Sequence, residues 1–228
     1  MRFGKEKLSW RKTNMADLII ESTLQTLEMV LFSTLFSVIL GFPVGTLLCT
    51  TSPSGITPKP LFNKALSFVV NILRSFPFII LMIVLFPLSR LILGTAIGTE
   101  ATIIPLSIAA APFVAKVIEG ALTEVDPGVT QAARAMGSTN SQIIIKVLIP
   151  EALPSIVSGI TLTIINLIGY SAMAGAIGGG GLGDLAIRYG YQRFRPEILT
   201  AAIIVIIVLV VGIQFVGTKI SRAMMAKR

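Results

Sequence analysis

The stretch QAARAMGSTNSQIIIKVLIP, residues 131–150, is the longest polar interruption among segments that otherwise have the composition of membrane spans. A helix is predicted to start at Pro127, because a proline at the first helical position lacks an N–H that would have no partner there. Gly137 lies where a helix end favours a left-handed residue. Pro150 predicts a break or kink in the helix that contains it. The stretch is therefore predicted to be a helix, a sharp turn and a second helix.

The first of these helices carries a narrow apolar stripe of mostly small side chains. The stripe recurs at i, i+3, i+4 and i+7 and consists of Val129, Ala132, Ala133 and Met136. After the turn, Thr139 and Gln142 match the capping box that starts a new helix. A small-residue face beside a glycine turn is typical of a surface that another protein grips closely. The alternative is an amphipathic loop that only connects two membrane spans.

The composition is that of a membrane protein. Of the 228 residues, 54% are hydrophobic and 13% are charged, whereas about 25% of residues are charged in ordinary soluble domains. The mean hydropathy is +0.86, and several charge-free runs reach the roughly 20 residues that cross a bilayer as a helix. These properties predict an all-α integral membrane protein.

The net charge of +8 is spread over the ends of the apolar segments. Basic residues that flank spans contact anionic lipid head groups, so membrane lipid, and not nucleic acid, is the predicted partner. The chain has no histidine, which excludes histidine-based catalysis and most zinc sites. Its single cysteine, Cys49, excludes an internal disulfide and is interpreted as a small buried hydrophobe, because it lies in an apolar run.

One transmembrane domain, residues 1–228, is predicted to contain five membrane-spanning helices. Residues 1–28 form a basic, interfacial entry segment. The predicted spans are residues 29–50, 61–88, 95–118, 155–176 and 198–216. Pro77 predicts a kink in the second span, whereas Pro105 and Pro112 are predicted to break the third.

Two glycine patterns carry structural predictions. Gly41 and Gly45 form a GxxxG pair in the first span, which predicts close packing against another helix. Residues 178–183, GGGGLG, can be written as GxGxxG, but they follow a membrane helix and not a strand, so the dinucleotide-binding interpretation fails. They are predicted to form a bend at the membrane surface.

The fourth span carries one face of small and polar residues, which consists of Gly159, Thr163, Asn166, Tyr170 and Met173. Such a face in lipid must point at other helices or at a water-accessible path. Asn166 and Tyr170 are predicted to lie on the path or at its edge. For Gly159 and Thr163, simple packing between helices is an equally good alternative.

The sequence offers no chemistry of its own to power a reaction. It contains no GxxxxGK[ST] motif and therefore no phosphate-binding loop. Glu119, Glu124 and Asp126 cluster beside residues 131–150, where a solvated acidic rim is favoured over acid–base catalysis. No catalytic residue, metal site or cofactor is predicted in this chain, so it is not expected to be an enzyme. Any energy for transport must come from a partner.

Residues 131–150 resemble the EAA motif with which permeases of ABC importers contact their ATPase subunits. The matching positions are Ala132, Ala133, Gly137, Val147, Ile149 and Pro150. Gln131 stands where the family usually has glutamate, so a hydrogen bond is retained but a charge is lost. The resemblance implies a cytoplasmic docking segment, residues 124–150, between spans 3 and 4. Its candidate ATPase-docking residues are Gln131, Ala132, Ala133, Met136, Gly137 and Pro150.

Further stretches resemble the permease subunit of bacterial methionine ABC importers, a branch of the type I importers. They are RSFPF at 74–78, AAAPF at 109–113, EVDPG at 124–128, KVLIPEALP at 146–154 and GYSAMAGAIGGGGLGDLAIRYGYQRF at 169–194. The resemblance covers about residues 74–194. In that family a methionine in the SAMAGA-like run lines the gate, and this residue is Met173 here. The alternative for Met173 is a flexible packing residue between helices.

This resemblance implies a homodimer with the translocation path along its two-fold axis. It also implies two cytoplasmic ATP-binding cassette subunits that bind ATP and Mg, and an external methionine-binding (lipo)protein. The complex would lie in the bacterial cytoplasmic membrane and import methionine by alternating access. The charge distribution leaves the orientation undecided, but an ATPase-docking segment must be cytoplasmic, which places the N-terminus outside and the C-terminus inside.

Three alternatives remain at this point. The nearest is a permease of the same architecture for another small solute, such as a different amino acid or an osmolyte. A self-sufficient channel or secondary transporter would need charge or ion sites within the spans, for which Arg74 is the main candidate. A non-transporting scaffold would not need the polar face that contains Asn166, Tyr170 and Met173.

Overall fold

The computed structural model describes residues 15–226, and all regular structure in that range is helical. In chain order the helices are α1 (Met15–Thr51), α2 (Pro60–Ser75), α3 (Phe78–Leu93), α4 (Thr99–Thr123), α5 (Pro127–Ala135), α6 (Asn140–Ala176), α7 (Gly181–Asp184) and α8 (Pro196–Met225). By length and composition α1, α4, α6 and α8 can each cross a bilayer, and α2 with α3 can supply a fifth crossing. The predicted all-α membrane fold is confirmed.

The long helix α1 is the main scaffold of the fold. It includes residues 15–28, so this part of the predicted entry segment is continuous with the first span, whereas residues 1–14 lie outside the described range. Gly41 and Gly45 pack directly against α4. A Cβ atom at Gly41 would lie 2.6 Å from the carbonyl oxygen of Ala111, and one at Gly45 would overlap the carbonyl of Ala115. The close-packing prediction for the GxxxG pair is therefore confirmed.

The predicted second span, residues 61–88, is divided into two helices. The axes of α2 and α3 are bent by 101°, much more than the kink that Pro77 predicted. Phe76 has an extended backbone, with φ −69° and ψ 129°. The physical reason is that the ring of Pro77 clashes with a helical conformation of the preceding residue.

Pro105 and Pro112 do not break the third span, in contrast to the prediction. Both are buried inside the continuous helix α4. This helix packs against α1 on one side and α6 on another. Prolines are tolerated in membrane helices where neighbouring helices hold the segment in place.

Pro150 likewise leaves its helix unbroken, so of the predicted break or kink the break does not occur. The chain from Asn140 to Ala176 is one helix, with a π-helical segment over Ile143–Leu148. In that segment the backbone N–H of Ile149 donates to the carbonyl of Ile144, five residues earlier. The wider turn accommodates a proline, which lacks an N–H and crowds the carbonyl four residues before it.

The glycine-rich run at 178–183 is not a simple surface bend. Gly181, Leu182 and Gly183 are buried, and a Cβ atom at Gly183 would overlap the backbone of Ala172 in α6. The backbone N–H groups of Gly181 and Leu182 donate to the side chains of Gln25 and Thr26, both at 2.8 Å. The run is therefore clamped between α1 and α6, which composition alone could not indicate.

The long helices place two ends of the molecule far apart. At one end, called the α5 end, the Oγ atom of Ser221 in α8 donates to the carbonyl of Pro154 in α6 at 2.9 Å. At the other, the α7 end, the beginning of α1 contacts the glycine-rich run. With its 37 residues, α6 measures about 55 Å and connects the two ends.

Candidate functional site: the docking segment and the face of α6

The docking segment begins with a well-formed helix start. Asp126 is the N-cap of α5, and its Oδ1 atom accepts a hydrogen bond of 2.7 Å from the backbone N–H of Gly128. Pro127 occupies the first turn. An N-cap carboxylate also interacts favourably with the helix dipole. The predicted start of the helix at Pro127 is confirmed.

Helix α5 ends in a Schellman turn centred on Gly137. Gly137 has φ +80°, and its N–H donates to the carbonyl of Arg134 at 3.0 Å, while the N–H of Ser138 donates to that of Ala133 at 3.1 Å. This pair of bonds defines the motif. A Cβ atom at Gly137 would meet no atom within 4 Å, so the backbone angle, and not space, requires glycine here.

The second helix starts at the predicted capping box. The backbone N–H of Thr139 donates to Oε1 of Gln142 at 2.9 Å, and that of Gln142 donates to Oγ1 of Thr139 at 3.4 Å. Both reciprocal bonds of the motif are thus formed. Two caps and a left-handed glycine fix the angle between α5 and α6.

The predicted apolar stripe of α5 divides into a buried and an exposed part. Ala133 is buried, whereas Val129, Ala132 and Met136 are exposed. Met136 keeps 80% of its surface accessible. Gln131 and Pro150 are exposed too. The stripe therefore presents small and flexible apolar side chains outward, where they are available to a partner.

Contacts to the rest of the chain hold the segment in place. Arg134 donates from Nη2 to the carbonyl of Ile56 at 3.0 Å, which ties α5 to the loop between α1 and α2. Ser155 donates from Oγ to Oε2 of Glu124 at 2.9 Å, which ties the start of the segment to α6. Sequence reasoning did not single out Arg134, because a loop carbonyl as acceptor leaves no trace in a sequence pattern.

The three acidic residues beside the segment all have structural partners. Glu119 forms an ion pair of 2.7 Å with Lys116, one turn away in α4. Glu124 accepts the bond from Ser155, and Asp126 caps α5. Each of the three carboxylates therefore has a role in holding local structure.

The predicted polar face of α6 also divides in two. Gly159 and Thr163 are buried, Thr163 to 1% exposure, and Oγ1 of Thr163 donates to the carbonyl of Gly159 at 2.9 Å. A Cβ atom at Gly159 would overlap the side chain of Val117. Gly159 and Thr163 thus pack between helices of the protomer, which was the alternative to a position on the path.

The other part of the face remains uncovered. Met173 is 48% exposed, and Asn166 is exposed as well. They belong to a set of exposed residues at steps of four, three, four and three, called the α6 stripe, which consists of Leu162, Asn166, Gly169, Met173 and Ala176. This spacing places the five residues on one side of α6, as in helices that pack along a neighbouring helix.

Tyr170 lies beside the stripe in an aromatic contact that the sequence did not indicate. Its ring stacks on that of Phe78 with 4.2 Å between centroids and an angle of 7°. Phe78 is the first residue of α3, directly after the break at Pro77. An adjoining cavity of about 260 Å³ is lined by Leu73, Arg74, Phe76, Phe78, Leu81, Ala109, Phe113 and Tyr170.

Most of the chain matches a known protein family. Residues 37–224 match the family described as the binding-protein-dependent transport system inner membrane component. The chain belongs to this family. The match includes α2 to α7 entirely, and therefore the docking segment and the α6 stripe.

Relatives with a named function are similar over two thirds of the chain or more. A protein of Vibrio cholerae named as a probable D-methionine transport system permease is 49% identical over 91% of this chain and 92% of its own length. A protein of Escherichia coli K12 named as a D-methionine transport system permease is 47% identical over 69% of this chain and 73% of its own length.

Solved structures agree with the fold. The MetNI methionine ABC transporter in an inward-facing conformation contains a chain with 44% identity and a TM-score of 0.90, over 92% of this chain and 97% of that chain. An amino acid ABC transporter solved with histidines matches at 24% identity and a TM-score of 0.72, over 95% of this chain and 97% of that chain. The second likeness concerns the fold alone.

Proposed function

We propose that this chain is the permease subunit of an ATP-driven importer that carries methionine across the bacterial cytoplasmic membrane. The observation that carries the proposal is the 44% identity and TM-score of 0.90 to a chain of the methionine ABC transporter, over 92% of this chain. The relatives named as D-methionine permeases support the same solute. Both enantiomers are therefore candidate substrates.

The docking segment is the proposed contact with an ATPase subunit. The exposed part of the α5 stripe supports this role, because Ala132 and Met136 leave a shallow apolar surface beside a fixed turn. Gln131 and Pro150 lie on the same exposed segment, whereas Ala133 supports it from within. Two ATP-binding cassette subunits would bind ATP and Mg, and the permease itself would supply no catalytic group.

The α6 stripe is the proposed wall of the path. Two copies of the chain would bring their stripes together around a two-fold axis, with Met173 at the gate and Asn166 and Tyr170 beside it. The uncovered side of α6 supports this arrangement, since an exposed asparagine in a membrane helix requires a partner or water. Thr163 would support the path from behind.

The continuity of α6 supplies a mechanism for coupling. Because the capping box and Met173 belong to one helix, a movement of the docking turn would be transmitted along that helix to the gate. ATP binding by the partners would close the docking segments together and open the path outward. This requires that ATP-bound partners favour one of the two conformations through differential affinity.

The proposed orientation rests on which end of the molecule contacts the ATPases. If the α5 end contacts ATPases, it is cytoplasmic, and the end of α8 lies there too because Ser221 contacts Pro154. The beginning of α1 is at the α7 end and would be outside. An external methionine-binding protein would deliver the solute to that end, in keeping with a binding-protein-dependent family.

Uptake into proteoliposomes tests the proposal. The chain with its co-purified ATPase would be reconstituted, with ATP enclosed and the methionine-binding protein outside. We expect ATP-dependent uptake of labelled L-methionine that unlabelled L- or D-methionine competes and other amino acids do not. Uptake without ATP would indicate a channel or secondary transporter, and ATP hydrolysis without methionine uptake would indicate an importer of another solute.

A further inference from the structure

A Schellman turn also lies at the α7 end, at the close of the π-helical segment Leu185–Tyr191. The N–H of Phe194 donates to the carbonyl of Tyr191 at 3.3 Å, and that of Arg195 donates to the carbonyl of Gly190 at 2.9 Å. The left-handed position of this motif usually holds glycine. Here it holds Phe194, with φ +55°, and among the described residues no other non-glycine residue has a positive φ.

The side chain of Phe194 makes little contact with the protomer that could offset this backbone strain. It is 90% exposed. Two further side chains of the same turn are exposed around it, those of Tyr191 and Arg193. Arg193 forms no ion pair with any residue of the described range. A bulky residue in a left-handed conformation is a true outlier, and such strain persists mainly at sites of function.

The surrounding contacts make this turn rigid. A Cβ atom at Gly190 would lie 2.7 Å from Cβ of Leu199, so the turn packs directly on the first part of α8. The guanidinium groups of Arg188 and Arg193 both lie over the ring of Tyr189, at 5.2 and 4.5 Å from its centroid. Arg188 also forms an ion pair of 2.6 Å with Asp184. The backbone at Phe194 is therefore held in place, which fixes the direction of its Cα–Cβ bond.

A fixed aromatic flanked by tyrosine and arginine favours a protein partner over lipid. Aromatic residues and arginine are enriched at the centres of protein interfaces, and a rigid anchor binds with a smaller loss of entropy. A fluid lipid phase has no preferred direction, so it would not require a strained turn. The turn also lies at the end of the molecule opposite to the docking segment, away from the ATPase contact.

We propose that Phe194 is the anchor through which the permease binds its external solute-binding protein, with Tyr191 and Arg193 around it. The anchor inserts into an apolar pocket of that protein, and Arg193 pairs with an acidic group at the rim of the pocket. This inference rests on the proposed function, because it assumes a binding-protein-dependent importer.

The test measures binding of the purified methionine-binding protein to the permease–ATPase complex in nanodiscs. The variants are Phe194→Gly, which removes the ring and relieves the strain, and Phe194→Trp, which keeps an aromatic anchor. Leu91→Ala is the matched control, because Leu91 is an apolar residue with 82% exposure at the end of α3. The end of α3 lies near the α7 end of the molecule, because the backbone N–H of Gly98, shortly after α3, donates to the carbonyl of Gly178. Thermal unfolding of each complex verifies folding.

We expect Phe194→Gly to weaken binding by about tenfold or more, as loss of a central aromatic does, while its unfolding midpoint stays at or above that of the wild type. Phe194→Trp and Leu91→Ala should bind within about twofold of wild type, a change well below that of an interface centre. Wild-type affinity in Phe194→Gly, with normal methionine uptake, would overturn the anchor and leave the importer intact. A wild-type complex that neither binds the methionine-binding protein nor imports methionine would overturn the proposed function, and the anchor with it.

A fluorescent label separates the protein partner from lipid. A bimane group on Phe194→Cys, in a Cys49→Ala background, should change its emission when the binding protein is added and should resist quenching by spin-labelled lipid. Strong quenching by that lipid, with no response to the binding protein, would show that the turn is a membrane anchor and would overturn the proposal.

Discussion

The turns at Gly137 and Phe194 share the same backbone hydrogen-bonding motif at opposite ends of the molecule. In each, one N–H donates three residues back and the next donates five residues back. The left-handed residue is glycine with φ +80° in one turn and phenylalanine with φ +55° in the other. The first turn therefore meets the steric requirement of the motif, whereas the second violates it.

The difference indicates what each turn presents to a partner. At Gly137 the backbone is relaxed, and the proposed partner surface is the neighbouring stripe with Ala132 and Met136. At Phe194 the strained residue is itself the exposed feature, although a left-handed conformation costs an L-residue roughly 1–2 kcal/mol. One turn fixes the direction of a helix, and the other fixes the direction of a side chain.

The largest effect is expected when the stripe beside the first turn receives a charge. Ala132→Glu should abolish co-purification of the ATPase, because a charge left unpaired in an interface costs about 2–5 kcal/mol. The measurement is the molar ratio of ATPase to permease after affinity purification. Ala132→Ser serves as the control and should keep the ratio. Normal recovery of ATPase with Ala132→Glu would mean that the stripe lies outside the interface.

Gly137→Val should uncouple ATP hydrolysis from methionine uptake. A β-branched residue at φ +80° misplaces the backbone at a cost of about 1–3 kcal/mol, while no neighbouring atom obstructs its Cβ. The measurement is methionine transported per ATP hydrolysed in proteoliposomes. Gly137→Asn, which tolerates the left-handed conformation better, should retain more transport. Wild-type uptake with Gly137→Val would contradict a coupling role for the turn.

Loss of the capping box should have a moderate effect. Thr139→Ala removes the acceptor for the N–H of Gln142 and should destabilise the start of α6 by about 1 kcal/mol. Thermal unfolding of the purified complex measures this as a lower midpoint. Ser141→Ala, at an exposed position one residue after the helix start, is the matched control. Equal midpoints for the two variants would show that the cap does not stabilise the segment.

The smallest expected effect is an increase in the stability of the complex. Phe194→Gly should stabilise the complex by about 1 kcal/mol, because glycine adopts the left-handed conformation without a steric cost. Gly137→Ala should lower stability by a similar amount for the same reason. Unfolding midpoints of the two variants, compared with the wild type, test the pair. A clearly lower midpoint for Phe194→Gly would show that its ring stabilises the turn and that the two turns do not differ in strain.

Local signals in the sequence were sufficient for the docking segment. Asp126, Pro127, Gly137, Thr139 and Gln142 each have a stereochemical role that depends on neighbouring residues only, and the structure confirms all of them. The hydropathy of each span likewise depends on its own residues only, so it was sufficient to predict the membrane fold.

Features that depend on distant contacts could not be predicted. Pro105, Pro112 and Pro150 were expected to interrupt helices, but packing and a π-helical segment accommodate them. The division of the α6 face between Thr163 and Asn166 depends on where α4 lies. The strain at Phe194 arises from a hydrogen-bonding motif whose left-handed position usually holds glycine. Because phenylalanine occupies that position here, the sequence does not indicate the motif.

The most direct test of the account is to crosslink each turn to its partner. Met136→Cys and Phe194→Cys, each in a Cys49→Ala background, would carry a photoactivatable crosslinker in the assembled complex with the binding protein. The account predicts that Met136→Cys crosslinks to the ATPase and not to the binding protein, and that Phe194→Cys does the reverse. Crosslinks of both positions to the same partner, or of Met136→Cys to the binding protein, would contradict it.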